Sequence, residues 1–293
     1  MAKDTKKPAI RFSGFIEAWE QRKLRTIYSK IRNAFVGTAT PYYVDEGNFY
    51  LESNNVKDGQ INRNSEIFIN DEFYLRQKDN WLHTGDIVMV QSGHVGHAAV
   101  IPEKLNNTAA HALIIFSNPK VEINPFYLNY QYQTTAYKKA IDNITTGNTI
   151  KHILSSEMKE FTVYWTNNEE QNKIGNFFVE LDNLITLHQR KYDKLTNVKK
   201  SMLKKMFPKN GSNVPEIRFK GFTEAWKQSK LGKIADKVTE KNAGLQYIET
   251  FTNSAEFGVI SQKDFFDHSI SKISSLDGYY IVRSEDFVYN PRI

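Results

Sequence analysis

Cysteine is absent from the 293-residue sequence. Its absence excludes disulfide scaffolds, cysteine-ligated zinc or iron–sulfur sites and thiol nucleophiles. The apolar runs are short, as at residues 112–116, and fall far below the roughly 20 residues that a membrane span needs. The N-terminal segment, residues 1–8, is polar and has no apolar signal-peptide core. We therefore expect a cytoplasmic protein without a membrane span.

Known catalytic signatures are missing as well. The chain has no phosphate-binding glycine loop, no Gly-x-Gly-x-x-Gly, no Gly-x-Ser-x-Gly and no His-Glu-x-x-His. Asn124-Pro125-Phe126-Tyr127 resembles the base-gripping motif of amino-methyltransferases but lacks its second proline, which favours a turn. On a strand, His94 and His97 would point to opposite faces, and no nearby carboxylate completes a zinc ligand set. The sequence thus predicts no catalytic residue, metal or cofactor in this chain.

The composition is that of a folded protein with an unevenly placed basic excess. Hydrophobic residues make up 40% and aromatic residues 13%, which excludes a mainly disordered chain. The formal charge is +6, from 39 Lys and Arg against 33 Asp and Glu. Residues 190–209 hold eight of these basic groups and one acidic group, so the rest of the chain is close to neutral. The charge therefore favours DNA only weakly, because a basic segment can equally bind a partner protein.

An internal repeat is the most informative feature of the sequence. Residues 8–24, which contain Ile-Arg-Phe-x-Gly-Phe-x-Glu-Ala-Trp, return at 215–231 with 12 of 17 positions identical. A fainter similarity relates residues 82–88 to 282–288. A shift of about 200 residues is far beyond the period of solenoid repeats, so it indicates a duplicated domain. After the first copy, residues 25–168 precede the next change of pattern, whereas only residues 232–293 follow the second copy. We therefore expect the chain to hold less than half of the second domain.

Between the two copies, residues 169–207 predict one long helix. The segment has no proline and a single glycine, Gly175, and Asn167 or Asn168 can cap its start. The helix would be about 55 Å long at 1.5 Å per residue. Its apolar stripe, with gaps of three and four, predicts an interface with a partner helix, formed by Ile174, Phe177, Leu181, Leu184, Leu195, Val198 and Met202. A core helix of a globular domain is the alternative.

Short strands and helices predict an α+β domain before this helix. Residues 49–51, 66–69 and 86–91 have the composition of strands bounded by turns. Residues 124–139 predict a helix with proline in its first turn, and residues 155–161 predict a short helical piece. We therefore expect a domain of mixed β-sheet and helices at 1–168, a coiled-coil spacer helix at 169–210 and an incomplete, repeated domain at 211–293.

Three polar loops of the first domain have the side chains that DNA binding uses. Amides, hydroxyls and imidazoles can read base edges, and isolated lysines can contact phosphates. Taken singly, each loop could equally be an ordinary solvated loop. The candidate DNA-binding residues are Asn54, Asn55, Lys57, Gln91, Ser92, His94, His97, Asn148, Thr149 and Lys151.

These motifs together resemble the specificity subunits of type I restriction-modification systems. The resemblance rests on the repeated segment at 8–19 and 215–226, on Leu-His-Thr-Gly-Asp-Ile-Val at 82–88 and on Thr-Gly-Asn at 146–148. It also rests on Glu-Glu-Gln at 169–171, which opens the long helix, and on the Lys-rich end of that helix at 199–207. The resemblance runs over the whole chain.

The resemblance implies a non-catalytic, sequence-specific DNA-recognition subunit. Such subunits hold two target-recognition domains, each reading half of a split double-stranded DNA sequence, apart by paired helices. By this resemblance, residues 8–168 would read one half-site and residues 169–207 would dock the methyltransferase subunits. S-adenosylmethionine would belong to the methyltransferase subunits, and ATP and magnesium to the motor-nuclease subunits. The chain departs from the pattern because its second recognition domain stops at Ile293, before the partner spacer helix.

Two other functions stay open from the sequence. The chain could be a DNA methyltransferase or nuclease in its own right, or a coiled-coil adaptor that does not bind DNA. If it is a natural half-subunit, its apolar stripe should form a homodimer with two identical recognition domains. If it is a fragment, the second domain should be poorly folded. The DNA target cannot be extracted from loop composition, because base preference depends on local geometry and DNA shape.

Overall fold

The computed structural model describes residues 7–147, 151–209, 211–268 and 270–290. The chain divides into two compact units, residues 1–195 and residues 196–293. The first unit combines helices with several small sheets, which confirms the predicted α+β class. Its helices are α1 (Leu24–Ile27), α2 (Asp71–Arg76), α3 (Pro125–Gln133), α4 (Thr135–Ile144), α5 (Ser155–Glu160) and the start of α6 (Asn168–Lys205).

The first unit also contains twelve described strands. In chain order they are β1 (Glu20–Lys23), β2 (Tyr28–Asn33), β3 (Tyr43–Val44), β4 (Asn48–Leu51), β5 (Val56–Lys57), β6 (Gln60–Ile61), β7 (Ile67–Ile69), β8 (Ile87–Val90), β9 (Ala98–Val100), β10 (Ala109–Ala110), β11 (Leu113–Pro119) and β12 (Thr162–Trp165). The three strands predicted from the sequence correspond to β4, β7 and β8.

The central sheet has the order β2-β11-β8-β9, with antiparallel neighbours throughout. Side chains alternate between the two faces of a strand, and both faces of this sheet are covered. Ile87 and Met89 of β8 join one buried cluster with the helices α3, α4 and α5. Val88 and Val90 join a second cluster with Leu51 and residues around it. This double burial explains why β8 is a continuous apolar run.

The remaining strands of the first unit form smaller sheets. β10, β4, β7 and β3 make a sheet in that order, with β10 parallel to β4. It carries an aromatic cluster in which Tyr42 stacks on Phe73 with ring centroids 4.1 Å apart. β1 pairs with β12, and β5 pairs with β6 as a short hairpin. The β1–β12 pair brings the end of the first repeat copy beside the residues that lead into α6.

The predicted helix at 124–139 is two helices. The side chain of Asn124 caps α3 by accepting a hydrogen bond from the Phe126 amide at 2.9 Å. Thr134 then takes an extended conformation, and its hydroxyl accepts a hydrogen bond from the Tyr137 amide at the start of α4. Threonine favours such caps because its side chain replaces a missing backbone partner. The prediction was therefore wrong about continuity, although both ranges are helical.

α6 spans 38 residues, which confirms the predicted long helix. Asn167 caps it by accepting a hydrogen bond from the Glu170 amide at 2.9 Å. Glu169 and Glu170 occupy the first turn and Lys204 and Lys205 the last, which suits the helix dipole. No helix among the described residues is both long and apolar enough to cross a membrane.

The second unit has less regular structure. Beyond the end of α6 it contains β13 (Phe251–Ser254), β14 (Gly258–Ser261) and α7 (Gln262–Phe266). β13 and β14 form an antiparallel hairpin. Many of its large apolar side chains are exposed, including Phe219, Phe222 and Phe287. Few hydrophobic side chains are buried among the described residues of this unit. Leu276 and Ile281 are two of them.

Candidate functional site

The loop 91–97 joins β8 to β9 and displays four of the predicted DNA-binding residues. Gly93 and Gly96 have φ of +79° and +87°, a region that favours glycine. A Cβ on Gly96 would also lie 2.9 Å from Ile141 of α4. The loop is closed by the Val90 amide, which donates to the His97 carbonyl at 2.8 Å. These glycines therefore let the loop turn sharply and lie close against α4.

The second predicted loop lies directly beside the first. The Gly93 amide donates to the Lys151 carbonyl at 3.2 Å, and the Ile153 amide donates to the Gln91 carbonyl at 3.0 Å. Thr146 and His152 exchange two backbone hydrogen bonds, which close the second loop on itself. Asn148 and Thr149 lie outside the described residues. The backbone thus joins two segments that are about 60 residues apart in the sequence.

The third predicted loop contacts the loop 91–97 through the turn between β5 and β6. The Asp58 amide donates to Nδ1 of His97 at 3.2 Å. The Gly59 carbonyl accepts a hydrogen bond from the Asn129 side chain at 2.9 Å, which ties the turn to α3. Lys57, beside this turn, is exposed. The turn therefore places Lys57 near the loop 91–97.

The two asparagines of the third loop have different surroundings. Asn54 is exposed. Asn55 is buried, its side-chain oxygen accepts from the Glu52 amide at 3.0 Å, and its side-chain nitrogen donates to the Ser65 carbonyl at 3.1 Å. Both ends of the Asn55 amide are thus used to hold the turn. Gln91 differs from Asn55, because its Oε1 is buried and has no hydrogen-bond partner among the described residues.

Helix α4 adds lysines to the converging loops. Tyr137 and Ile141 face the core at helical spacing, so Lys138 and Lys139 lie on the exposed side. The loops and α4 enclose an open cleft of about 440 Å³. We call it the basic cleft, and its lining includes His97, Thr135, Lys138, Lys139, Thr145 and Lys151. The sequence analysis did not include Lys138 and Lys139 among the DNA-binding candidates. Their position on the polar face of an amphipathic helix could have identified them as exposed cations.

Histidine chemistry in the basic cleft favours a neutral imidazole. Burial lowers the pKa of His97, and the positive charges of Lys138 and Lys57 act in the same direction, whereas Asp58 opposes them. In the neutral ring, Nδ1 accepts the Asp58 hydrogen bond, so the proton lies on Nε2. His97 therefore offers one N–H donor. Lys151 is paired with Asp142 of α4.

No group of three or more metal-ligating side chains occurs in the part of the chain that the structure describes. His94 and His97 lie in a loop, not on a strand, and their rings are 6.5 Å apart in an edge-to-face arrangement.

A second functional feature is the attachment of α6 to the first repeat copy. The Glu170 carboxylate is fully buried. Arg11 donates two hydrogen bonds to it, at 2.6 and 2.8 Å, and Trp19 donates a third at 3.1 Å. The Thr166 hydroxyl also donates to this carboxylate. Burial raises the pKa of Glu170, but the hydrogen bonds from Arg11 and Thr166 outweigh it and hold the pKa below its ordinary value.

Two phenylalanines of the first repeat copy extend this attachment along α6. Phe12 contacts Phe177 edge to face, with ring centroids 5.8 Å apart. The Lys173 ammonium lies 4.8 Å from the centre of the Phe15 ring. Glu170, Lys173 and Phe177 are three and four residues apart, so they share one face of the helix. The first repeat copy therefore binds the first three turns of α6.

The predicted partner-helix interface is uncovered along most of its length. Ile174 packs partly against the core of the first unit. Gly175 allows this close approach, because a Cβ there would lie 2.9 Å from Asn124. The other six stripe residues are exposed, namely Phe177, Leu181, Leu184, Leu195, Val198 and Met202. Among these, Phe177 has the contact with Phe12 described above.

Comparison with known proteins gives consistent matches. Residues 6–197 match the family described as the type I restriction modification DNA specificity domain. The chain is 24% identical over 165 residues to the type I restriction enzyme MjaIX specificity subunit of Methanocaldococcus jannaschii, covering 54% of this chain and 38% of that protein. It is 25% identical over 228 residues to the putative MjaX specificity subunit of the same organism, covering 75% and 50%.

A crystal structure of the type I restriction-modification system S subunit from M. genitalium is also similar. It has a TM-score of 0.46 and 18% sequence identity, over 67% of this chain and 48% of that one. The chain thus spans half or less of the length of the curated relatives named above. The family match covers well over half of the sequence, from residue 6 to residue 197. The chain therefore belongs to the family of type I restriction-modification DNA specificity domains.

Proposed function

We propose that residues 1–168 form a target-recognition domain that binds double-stranded DNA through the basic cleft. The observation that carries the proposal is the convergence of the loop 91–97, the loop around Lys151 and the Lys57–Asp58 turn on one surface. These segments are far apart in the sequence, and the side chains of each one separately predict DNA binding. Their convergence beside α4 supports one shared DNA-binding surface over three unrelated solvated loops.

The chemistry of this surface suits both parts of DNA recognition. Lys57, Lys138 and Lys139 are exposed cations and would contact phosphates, which fixes the position of the duplex. The Nε2 proton of His97 matches a purine N7 acceptor in the major groove. Ser92 and His94 extend the polar edge of the same loop. Asn54 stays a candidate at the margin, and Asn55 is left out because its amide holds the turn.

The wider assembly follows from the same proposal. Residues 169–210 act as the spacer, and residues 211–293 belong to a second recognition domain. The spacer docks methyltransferase subunits, which carry S-adenosylmethionine, and motor-nuclease subunits with ATP and magnesium join through the complex. The chain itself supplies recognition and no catalytic residue. The exposed stripe on α6 supports pairing with another helix, from a second copy of this chain or from another subunit.

Salt-dependent DNA binding tests the basic cleft. The full chain, alone and with methyltransferase subunits, is titrated with mixed-sequence duplexes at several salt concentrations. Lys138→Ala combined with Lys139→Ala should reduce the slope of log affinity against log salt by about 2, because each lost phosphate contact releases about one counterion fewer. Lys104→Ala is the matched control, since this exposed lysine lies beyond the opposite end of β9. An unchanged slope in the double variant would contradict the proposal.

Sequence specificity needs a separate experiment. DNA exposed to the assembled methyltransferase is sequenced for methylated sites. A split motif is the expected result, and replacing His97 with Ala should relax one half of it, because the variant loses the N–H donor that would read a base edge. Methylation by this chain without partner subunits would favour an enzyme. Equal affinity for every duplex, even in the complex, would favour a structural adaptor.

A further inference from the structure

The turn between β5 and β6 has two polar backbone groups that its own hairpin does not use. Lys57 pairs with Gln60, so Asp58 and Gly59 are the two residues of the hairpin loop. Both have positive φ, +48° and +82°, which is the geometry of the tight turn that an Asp-Gly sequence favours. The ladder bonds of such a hairpin join the flanking pair and leave the loop groups for other partners. The turn therefore presents the Asp58 N–H as a donor and the Gly59 carbonyl as an acceptor.

Each of these two groups is bonded to another element. The Asp58 amide donates to Nδ1 of His97 at 3.2 Å. The Gly59 carbonyl accepts from Nδ2 of Asn129 in α3 at 2.9 Å. The side chain of Gln133 lies against the same glycine, since a Cβ on Gly59 would be 2.1 Å from Nε2 of Gln133. Helix α3 thus holds the turn, and the turn holds the His97 ring.

Asn129 is the residue of α3 that bonds to the turn, and its amide is only half satisfied. The residue is buried, and its Oδ1 has no hydrogen-bond partner among the described residues. Turning the amide over would bring two acceptors together at the Gly59 carbonyl, so the donor has to face the turn. A buried oxygen without a partner is destabilising. An apolar side chain would avoid that cost but could not bond to Gly59, which indicates a positioning role for the amide.

We propose that Asn129 is a positioning residue for DNA specificity, which fixes the tautomer and the orientation of the His97 ring through the Asp58–Gly59 turn. A backbone N–H can only donate, so Nδ1 has to accept and the proton of the neutral ring lies on Nε2. The same bond restricts rotation of the ring about its Cβ–Cγ axis. The inference rests on the proposed contact between His97 and a base edge, and it gives that contact a fixed polarity.

The fixed polarity defines which base edges the loop 91–97 accepts at this position. With its proton on Nε2, His97 donates, and the base has to accept. Purine N7, guanine O6 and thymine O4 are acceptors in the major groove, whereas the amino groups of adenine and cytosine are donors. Loss of the bond from Asp58 would let the ring turn and exchange tautomers, so that Nε2 could also accept. The turn and Asn129 therefore exclude a donor edge without touching the DNA.

The Asp58 carboxylate is the competing influence on the ring. Its Oδ1 lies 3.7 Å from Nδ1 of His97 and would favour a proton there, whereas the amide of the same residue excludes one. The carboxylate is 63% exposed, so solvent screens it, whereas the amide is held by the turn. The positive charges of Lys57 and Lys138 disfavour the doubly protonated ring. The amide therefore decides where the proton of the neutral ring lies.

Nuclear magnetic resonance of the imidazole nitrogens reads the tautomer directly. The full chain is labelled in its seven histidines, and His97→Gln identifies the signals of His97. At pH 8, above the ordinary pKa of histidine, the ring is neutral. Wild type should show an unprotonated Nδ1 and a protonated Nε2 in a higher ratio than His188, which is exposed on α6 and serves as the internal reference. A ratio no higher than that of His188 would overturn the proposal without any variant.

Matched variants of the full chain locate the determinant. Asn129→Leu removes the bond to Gly59 and should lower the ratio of Nε2–H to Nδ1–H tautomers about fivefold, the effect of one ordinary hydrogen bond. Asp58→Gly keeps the amide and removes the carboxylate, so the ratio should not fall. Asn143→Leu, the same change at an exposed position of α4, should leave it unchanged. An unaltered ratio in Asn129→Leu, or a lower one in Asp58→Gly, would overturn the proposal.

Methylation-site sequencing with the assembled methyltransferase tests the consequence for DNA. Asn129→Leu should relax the same base position that His97→Ala relaxes, because the ring no longer excludes a donor edge. Relaxation by His97→Ala but not by Asn129→Leu would overturn this inference and leave the proposed DNA contact intact. An unchanged motif in His97→Ala would contradict the proposed contact itself, and with it the role of Asn129 in specificity. The tautomer ratio is measured without DNA, so it separates the two failures.

Discussion

The two repeat copies have nearly the same sequence and opposite surroundings. In the first copy, Arg11 makes a bidentate ion pair with the buried Glu170 and Trp19 donates to the same carboxylate. In the second copy, Nη1 of Arg218 has no hydrogen-bond partner among the described residues, and Trp226 is 42% exposed. The difference lies in the partner and not in the motif. Two segments with nearly the same sequence can therefore differ in the contacts that stabilise them.

This contrast explains what the motif contributes physically. Burying a carboxylate costs several kcal/mol unless hydrogen bonds and an opposite charge compensate for it. Arg11, Trp19, Thr166 and the Asn167 cap together provide that compensation at the start of α6. The second copy has no such carboxylate, and its Trp226 ring contacts Phe207 instead. The repeat is thus best described as a helix-binding element whose energy appears only when a helix is bound.

Replacing each arginine gives the largest expected difference between the copies. Arg11→Met leaves Glu170 buried without its counter-charge, so we expect a loss of about 3 kcal/mol in unfolding free energy. Arg218→Met removes no ion pair among the described residues, so its effect on the unfolding free energy should stay within about 0.5 kcal/mol. Urea unfolding followed by circular dichroism measures the free energies. Hydrogen exchange at residues 166–175 should accelerate in the first variant only.

The matched conservative change makes this comparison sharper. Arg11→Lys keeps the charge but loses the planar, two-bond geometry, so its cost should lie between those of the wild type and Arg11→Met. Equal destabilisation by Arg11→Met and Arg218→Met would show that the two copies are energetically alike. That result would contradict the contrast drawn from their contacts.

Acidification should weaken the first copy selectively. Burial raises the pKa of Glu170, yet the bonds from Arg11 and Thr166 outweigh it, so the folded pKa lies below the ordinary value of 4.5. A carboxylate with a lowered folded pKa stabilises the fold above about pH 4.5 and loses that contribution as the pH falls through the folded pKa. Glu170→Gln should therefore be less stable than wild type at pH 7, and the gap should narrow below pH 4.5.

Measuring both proteins across pH 3–7 isolates this carboxylate from the others that titrate in the same range. Urea unfolding at each pH gives the difference in free energy between wild type and Glu170→Gln. A difference that stays constant across the acid range would mean that Glu170 keeps its ordinary pKa in the folded protein. The bonds from Arg11 and Thr166 would then contribute little to its charge state.

The sequence predicted the elements of this attachment but not the attachment itself. The repeat, the Asn167 cap and the acidic first turn of α6 are local patterns, and the structure confirms them. The ion pair joins Arg11 to a residue 159 positions away, and no local pattern selects Glu170 over Glu169 as its partner. Only the packing of the β1–β12 pair beside the helix start brings the two together. Long-range polar pairs of this kind depend on tertiary structure.

The candidate DNA surface shows the same division. Composition alone selected the loop 91–97, the loop at 145–152 and the turn at Lys57, but it could not show that they converge. Their contacts arise because the loop between β8 and β9 lies beside α4, where Gly96 lets it approach Ile141. The buried amide of Asn55 was indistinguishable from an exposed one in the sequence. Side-chain type is therefore readable from the sequence, whereas exposure and proximity at loops are not.

Replacing one phenylalanine in each copy should give the smallest difference in stability and tests one specific contact. Phe12 meets Phe177 edge to face, while Phe219 has no aromatic contact within the described parts of the chain. Phe12→Leu keeps most of the apolar area but loses the ring geometry, so it should cost about 0.5–1 kcal/mol. Phe219→Leu should change stability by less, because no ring faces it. The contrary result is an equal loss of unfolding free energy in both variants, with no faster hydrogen exchange around Phe177 in Phe12→Leu. Ring geometry would then contribute nothing to the attachment, and Arg11 and Trp19 would account for all of it.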